Sequence, residues 1–229
     1  MNSVFRPSRN YLLRCICLGL TALSLHAAQA QAASDPTWNA QLLVASRQGD
    51  LAQAQRALAH GAVPDSRNRI GKTPLLLVSE KGNLELADVL LRAGANPGSV
   101  SIEGVTPLMA ASYAGSAALV KRLLAAGAAT APQDRMKKPA IVYAAGQGHV
   151  GAVEALLASG IDVNATYAQG LTLLMWAAGQ GHADLVTWLL GHGAKADLRD
   201  DRGLTALEIA RSAPQPATAK LLEAQRPPL

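Results

Sequence analysis

Histidine is the residue type in this 229-residue sequence that most readily does chemistry, because it can bind a metal or act as a general base. Four histidines follow residue 30: His60, His149, His182 and His192. His149 and His182 lie one 33-residue interval apart, and His60 and His192 each directly precede a glycine. Neither an HExxH sequence nor a paired Cys/His spacing joins them. We therefore predict structural histidines, with no metal and no cofactor.

Motifs of nucleotide binding and nucleophilic catalysis are also incomplete. Gly71-Lys72-Thr73 resembles the end of a phosphate-binding loop, but the upstream glycine of that motif would fall at Ser66. The sequence contains no Gly-x-Ser-x-Gly nucleophile elbow. Acids such as Asp200 and Asp201 are typical of a solvated turn rather than of an acid/base pair. These observations predict a protein that is not an enzyme.

The first 30 residues have the order of a secretory signal peptide. They carry three arginines and no acid, then an apolar run from Cys15 to Leu25, then Ala28-Gln29-Ala30. The run is shorter than the roughly 20 residues that span a bilayer. We predict a signal peptide over 1–30, cleaved after Ala30 with Ala28 or Ala32 as alternatives, and export to the periplasm, with secretion as the alternative.

Removal of this segment changes the composition arguments. It leaves 199 residues and takes away three arginines, so the formal net charge falls from +5 to +2. A net charge of only +2 therefore gives no support to nucleic-acid binding. Cys15 and Cys17 are lost as well, so the exported chain has no disulfide. With 3% aromatic residues in the whole chain, small aliphatic side chains must form the core.

A 33-residue period runs through the rest of the chain. It is carried by two glycine series and a leucine series: Gly49, Gly82, Gly115, Gly148, Gly181; Gly61, Gly94, Gly127, Gly160, Gly193; and Leu90, Leu123, Leu156, Leu189, Leu222. Each period predicts two short helices and a loop. Thr73 is placed to cap a helix that begins at Pro74, and a second amphipathic stretch after Gly82 ends before Gly94. One such unit cannot bury its own apolar face, so neighbouring units must stack.

The period and the sequences Thr106-Pro107-Leu108-Met109-Ala110-Ala111 and Gly160-Ile161-Asp162-Val163-Asn164-Ala165 resemble the ankyrin repeat. The resemblance implies an all-α repeat solenoid of stacked helix-turn-helix units joined by β-hairpin-like loops. We predict a short linker over 31–37 and an ankyrin-repeat domain over 38–229: an N-terminal cap 38–70, repeats 71–103, 104–136, 137–169 and 170–202, and a C-terminal cap 203–229.

One repeat departs from the pattern. Pro139 stands where the other repeats have threonine, and Lys137 stands where they have the turn glycine. Because glycine adopts a left-handed conformation most readily, we expect the hairpin at Lys137 to be the least regular.

The aromatic residues divide into predicted core and predicted surface. Tyr143 and Trp176 occupy one repeat position that is otherwise aliphatic or small, and we assign them, with Trp188, to the core. Tyr113 lies where other repeats have polar or small residues, and Tyr167 lies in a loop. We expect Tyr113 and Tyr167 to be the aromatic anchors of an interface.

The resemblance also implies a protein partner, contacted by hairpin tips and by the exposed side of each first helix. The predicted binding residues are Arg69, Ile70, Lys72, Lys81, Ile102, Glu103, Tyr113, Arg135, Met136, Lys138, Gln147, Tyr167, Gln169, Leu171 and Gln180, with Glu80 and Val105 beside them. Basic residues outnumber acidic ones in this set, which predicts an acidic patch on the partner.

Several functions remain open at this point. An exported adaptor for a stress-defence enzyme such as a catalase is one interpretation that the resemblance implies. The alternative is an immunity or inhibitor protein against a periplasmic toxin. A small-ligand-binding or enzymatic protein is less favoured, because a solenoid groove is shallow where ligands need burial.

Overall fold

A computed structural model describes residues 36–225 of the chain, with the backbone alone at Pro36. The predicted signal peptide, with its alternative cleavage sites, lies outside the described residues. Within 36–225, no helix is both long and apolar enough to cross a membrane.

The described residues form twelve α-helices and one short 3₁₀ turn, Ala168–Gly170. In chain order the helices are α1 Pro36–Gln48, α2 Leu51–Ala59, α3 Pro74–Ser79, α4 Leu84–Arg92, α5 Pro107–Ala114, α6 Ala117–Ala125, α7 Ala140–Gly146, α8 Val150–Leu157, α9 Leu173–Gln180, α10 Ala183–Gly191, α11 Ala206–Ser212 and α12 Pro216–Glu223. Helix α1 begins within the segment that the sequence assigns to a linker.

The helices stack in two rows. The first helix of each repeat (α1, α3, α5, α7, α9, α11) packs on the first helix of the next, and the second helices form a parallel outer row. Hairpin loops project from the side of the inner row. The fold is an all-α repeat solenoid, which confirms the predicted fold class.

Local sequence explains where the inner helices begin. The Thr73 hydroxyl accepts a hydrogen bond from the Leu76 amide at 3.3 Å, and the Thr106 hydroxyl accepts one from the Met109 amide at 3.2 Å. In both helices proline is the first residue, where a missing N–H costs nothing. The short inner helices therefore start at fixed residues, and this sets the register of the side chains that follow.

The leucine series forms the continuous core between the two rows. Leu90, Leu123, Leu156 and Leu189 are completely buried, and Leu222 is buried in the last repeat. Each repeat contributes the same residue at the same height, so each outer helix covers the apolar face of its neighbour.

The histidines make structural contacts. His149 and His182 donate from Nε2 to the carbonyls of Tyr113 (3.0 Å) and Gly146 (2.9 Å), in each case across to the preceding repeat. His60 stacks on Trp38 with ring centroids 4.2 Å apart, and His192 stacks on Trp188 at 3.8 Å. Among the described residues, no group of three or more His, Cys, Asp or Glu side chains could hold a metal ion.

The expectation of an irregular hairpin at Lys137 is wrong. Lys137 adopts the left-handed conformation (φ 59°) that Gly71 has in the first hairpin. Its amide donates to the Asp134 carbonyl at 2.9 Å, as the Gly71 amide donates to the Asn68 carbonyl. The Asp134 carboxylate explains the regularity, because it accepts hydrogen bonds from the amides of Met136 and Lys138, both at 2.9 Å, and holds the turn closed.

The hairpin over 167–171 is the least regular instead. It has two consecutive left-handed residues, Gln169 (φ 65°) and Gly170 (φ 72°). Backbone hydrogen bonds join the first tip to the second, the second to the third and the fourth to the fifth. In the part of the chain that the structure describes, no such bond joins the third tip to the fourth. The row of hairpins is therefore divided at this point.

Candidate functional site

The predicted hairpin-tip residues lie on the surface. Arg69, Ile70, Ile102, Glu103, Arg135, Met136 and Gln169 are all exposed. Ile70, Ile102 and Met136 keep 54%, 57% and 65% of their surface, which is unusual for large apolar side chains. The Ile102 amide donates to the Ile70 carbonyl at 3.2 Å, so these two apolar tips are neighbours. The first three tips thus offer apolar contacts to a partner.

A groove with aromatic walls runs along the inner helices beside these tips. The rings of Tyr113 and Tyr143 meet edge to face, with centroids 6.0 Å apart. Both rings border two adjoining cavities. The apolar compartment, of about 310 Å³, is lined by Glu80, Val105, Met109, Ala110, Tyr113 and Tyr143. The polar compartment, of about 180 Å³, is lined by Tyr113, Lys138, Val142, Tyr143, Gly146, Gln147, Trp176 and Gln180.

Tyr143 and Trp176 are half-buried and line this groove, so their assignment to the core was incomplete. They pack against the core yet border the polar compartment. Gly146 contributes to the exposure of Tyr143, because it follows Tyr143 by three positions and no atom lies within 4 Å of the place a Cβ would take. Gly179 follows Trp176 by three positions, but the Ile209 side chain packs against it. Trp188 is likewise half-buried, but it lies on the outer row.

Two lysines of the predicted site have different environments. The Lys72 ammonium forms an ion pair with Glu80, with Nζ 2.5 Å from the carboxylate oxygen. The Lys138 ammonium lies 5.0 Å from the centre of the Trp176 ring, a cation–π contact. Among residues 36–225, Lys138 has no carboxylate within ion-pair distance. One end of the groove therefore has a neutralised lysine and the other end an available positive charge.

Asp134 connects the third hairpin to the groove. Its side chain is buried, and it accepts a hydrogen bond from the Tyr143 hydroxyl in addition to the two turn amides. Burial, reinforced by the hydrogen bond and charge of Asp134, raises the pKa of the Tyr143 phenol. The phenol remains a neutral donor at physiological pH, and its ring is fixed between the two compartments.

Replacement of Asp134 should destabilise the protein, because three hydrogen-bond donors share its carboxylate as acceptor. We expect Asp134→Ala to lower the free energy of unfolding by about 2 kcal/mol, because the Tyr143 hydroxyl and two turn amides lose their acceptor. Asp134→Asn should cost less than half as much, since Asn68 closes the first hairpin with an amide oxygen. Urea denaturation of both variants measures the difference, and equal losses would contradict this role.

Two predicted contact residues are less accessible than expected. Tyr167 and Leu171 are half-buried and pack against the core. The Tyr167 hydroxyl is buried without a hydrogen-bond partner among the described residues, and burial raises its pKa to about 12. Tyr167 is therefore a poorly placed anchor, because the irregular hairpin folds its ring back onto the solenoid. Tyr113, in contrast, is 55% exposed, as expected.

Lys81 and Gln147 are exposed just after the inner helices α3 and α7, and Gln180 is the exposed last residue of α9. Gln147 and Gln180 border the polar compartment. Tyr143 and Trp176 are the groove residues that were missed as binding residues. The signal available in the sequence is the pairing of each with a glycine three positions later. An open groove with aromatic walls, one available ammonium and amide side chains can bind a polypeptide surface.

The fold defines an all-α repeat protein with an open groove along its inner helices. A sequence-family model described as ankyrin repeats, in three copies, matches residues 42–134, 75–167 and 141–226. The chain belongs to the ankyrin-repeat family, whose repeats mediate protein–protein interaction. No match was found among curated proteins.

Among solved structures, the chain is similar to a chain in the Bd0816 predatory endopeptidase of Bdellovibrio bacteriovorus in complex with immunity protein Bd3460. The two chains are 27% identical with a TM-score of 0.73, and the alignment covers 81% of this chain and 98% of the other. In all, 574 solved chains match, so the fold by itself does not identify a partner.

Proposed function

We propose that this chain is an exported, non-enzymatic ankyrin-repeat protein that binds another protein through the groove between Tyr113 and Trp176 and through the adjacent hairpin tips. One observation carries the proposal: two half-buried aromatic rings, one exposed ring and an ammonium that forms no ion pair within residues 36–225 share one open groove. Aromatic and cationic side chains are enriched among the residues that dominate binding energy at interfaces.

The apolar tips extend the same surface. Ile70 and Ile102 lie at adjacent tips, and exposed Arg69 and Arg135 flank them. A partner that fills the groove would cover these tips as well. The basic residues favour an acidic patch on the partner, because complementary charge steers association and rejects wrong partners.

The similar structure supports an inhibitor or immunity role over an adaptor role. That structure contains an endopeptidase in complex with an immunity protein, and one of its chains is matched over 98% of its length. We infer that this chain binds and blocks a harmful enzyme. Support for a catalase stays a prediction, since no feature of the groove points to one.

An enzymatic role has less support. The groove is open, whereas catalytic and small-ligand sites bury most of their ligand. The Tyr143 hydroxyl donates to the Asp134 carboxylate, but that carboxylate is buried and also accepts the amides of Met136 and Lys138, and burial raises the pKa of the phenol, so the pair is poorly suited to activate a nucleophile. The Lys138 ammonium rests on an aromatic ring.

Affinity capture tests the proposal. Residues 31–229 serve as bait in a periplasmic extract of the source organism and in its culture medium, with Tyr113→Ala and Lys121→Met baits in parallel. Lys121 is exposed on the outer helix α6, so its replacement is the control. We expect one dominant protein that the Tyr113→Ala bait loses and the Lys121→Met bait retains. Equal recovery on all three baits would contradict binding in the groove.

A second measurement, on the captured protein, distinguishes an inhibitor role of this chain from an adaptor role. If this chain is an inhibitor, adding it at increasing concentration should abolish the enzymatic activity of the partner at a one-to-one ratio. An unchanged activity in the bound state would contradict the inhibitor role and favour an adaptor. Export is tested separately by locating the full-length chain after cell fractionation.

A further inference from the structure

We propose that the groove recognises a two-point pattern in an extended segment of the partner: one large apolar side chain and, two residues away, one carboxylate side chain. This inference rests on the proposed function, because it specifies which part of a protein partner enters the groove.

The apolar compartment accepts the first group. Its walls are the side chains of Val105, Met109 and Ala110 and the rings of Tyr113 and Tyr143, with Glu80 as the one charged residue of the lining. Its volume of about 310 Å³ is near the lower limit of ligand pockets, about 300 Å³. It therefore has room for one leucine-sized or phenylalanine-sized side chain.

The polar compartment accepts the second group. The Lys138 ammonium is held over Trp176, and the exposed amides of Gln147 and Gln180 border the same space. A carboxylate that enters here gains a charge-assisted hydrogen bond from an ammonium that has no competing carboxylate within residues 36–225. At the opposite end, Glu80 already neutralises Lys72. Charge complementarity thus selects a carboxylate in one compartment only.

The spacing of the two points follows from their common wall. The edge-to-face pair of Tyr113 and Tyr143 borders both compartments, so the two compartments adjoin. Alternate side chains of an extended chain point the same way and are separated by roughly 6.5 Å. Residues i and i+2 are therefore the nearest pair of an extended segment whose side chains can enter adjoining compartments from the same side, whereas adjacent residues point to opposite sides.

Peptide titration with an indole N–H readout tests the pattern. The chain has three tryptophans, Trp38, Trp176 and Trp188, so nitrogen-15 labelling gives three indole signals, and Trp176→Phe assigns one of them. The probes are acetylated, amidated seven-residue peptides with Leu-Ser-Glu, Leu-Ser-Gln or Leu-Glu-Ser at the centre. We expect the Leu-Ser-Glu peptide to shift the Trp176 signal saturably and to bind about tenfold more tightly than the other two.

Charge variants complete the test. Lys138→Met should weaken the Leu-Ser-Glu peptide about tenfold and leave the Leu-Ser-Gln peptide unchanged, while Lys121→Met should alter neither. Equal affinity for the three peptides, or a Trp176 signal that none of them shifts, would overturn the two-point pattern. If such a result accompanies groove-dependent capture of a protein partner, the pattern alone fails. If capture does not depend on the groove, the proposed function fails.

Discussion

The double variant Tyr113→Ala/Trp176→Ala is expected to bind the captured partner at least 100-fold more weakly than the unaltered chain, about 2.8 kcal/mol of binding free energy. Tyr113 lies on the inner helix α5 and Trp176 on the inner helix α9, with α7 between them, and both side chains border the polar compartment. Loss of both rings removes apolar contact area and also the surface on which the Lys138 ammonium rests.

The magnitude follows from the behaviour of interface aromatics. Truncation of a central aromatic residue commonly costs about 2 kcal/mol or more, because the partner groups around it lose a desolvated contact. Tyr113 and Trp176 share one compartment, so their effects need not add. Titration calorimetry of each single variant and of the double variant measures this coupling.

Trp188→Ala is the matched control for the loss of an indole ring. Trp188 is also half-buried, but it stacks on His192 in the outer row. We expect this variant to lose some stability and to retain its affinity for the partner. If Trp188→Ala weakens binding of the partner and the double variant does not, the interface lies on the outer row.

Leu123→Ala is expected to lower the free energy of unfolding by about 3 kcal/mol. Leu123 is completely buried in α6, which packs between α4 and α8 of the neighbouring repeats. Truncation leaves a cavity that two helix interfaces share, and a short helix held on both sides cannot move to fill it. Because each repeat is stabilised mainly by its neighbours, the loss should also reduce the cooperativity of unfolding.

Urea denaturation followed by circular dichroism measures the effect of Leu123→Ala, and Ile70→Ala is its control. Ile70 is an aliphatic side chain of similar size that is more than half exposed. We expect Ile70→Ala to change the free energy of unfolding by less than about 0.5 kcal/mol. A similar loss for both variants would mean that the leucine series is not the main source of stability.

The sequence predicts the solenoid because its physical requirements recur at fixed spacing. Left-handed glycines such as Gly115 and buried leucines return every 33 residues, and so do threonine caps such as Thr73 and Thr106, with Pro139 as the one departure. A helix start, a turn and a core position are local or nearest-neighbour properties, so a period in the sequence specifies them directly.

The groove was harder to predict because exposure depends on what surrounds a side chain. Tyr143 and Trp176 share a repeat position with buried Leu77 and Ala110, and position alone assigned them to the core. Their larger rings extend past that position to the groove surface, and Gly146 leaves open space beside Tyr143. A comparison of side-chain size across adjacent positions, rather than of position alone, would have indicated the groove.

Lys137 and Tyr167 show a second limit of the pattern. The absence of glycine suggested a distorted turn at Lys137, but the buried Asp134 carboxylate accepts hydrogen bonds from two turn amides, which hold the turn, and from the Tyr143 hydroxyl. Tyr167 lies in a loop, but its ring turns toward the core as Gln169 and Gly170 both adopt left-handed conformations. Side-chain hydrogen bonds and consecutive turn residues are not periodic, so the repeat does not predict them.

Selective blocking of the groove tests its role as the partner-binding surface most directly. Both cysteines of the chain, Cys15 and Cys17, precede residue 31, so a single introduced cysteine in the 31–229 chain reacts uniquely with a bulky maleimide. Gln147→Cys places the label in the polar compartment, and Lys121→Cys places it on the outer helix α6. Labelling at position 147 should abolish binding of the captured partner, and labelling at position 121 should leave the affinity unchanged. Undiminished binding after labelling at position 147 would contradict the account.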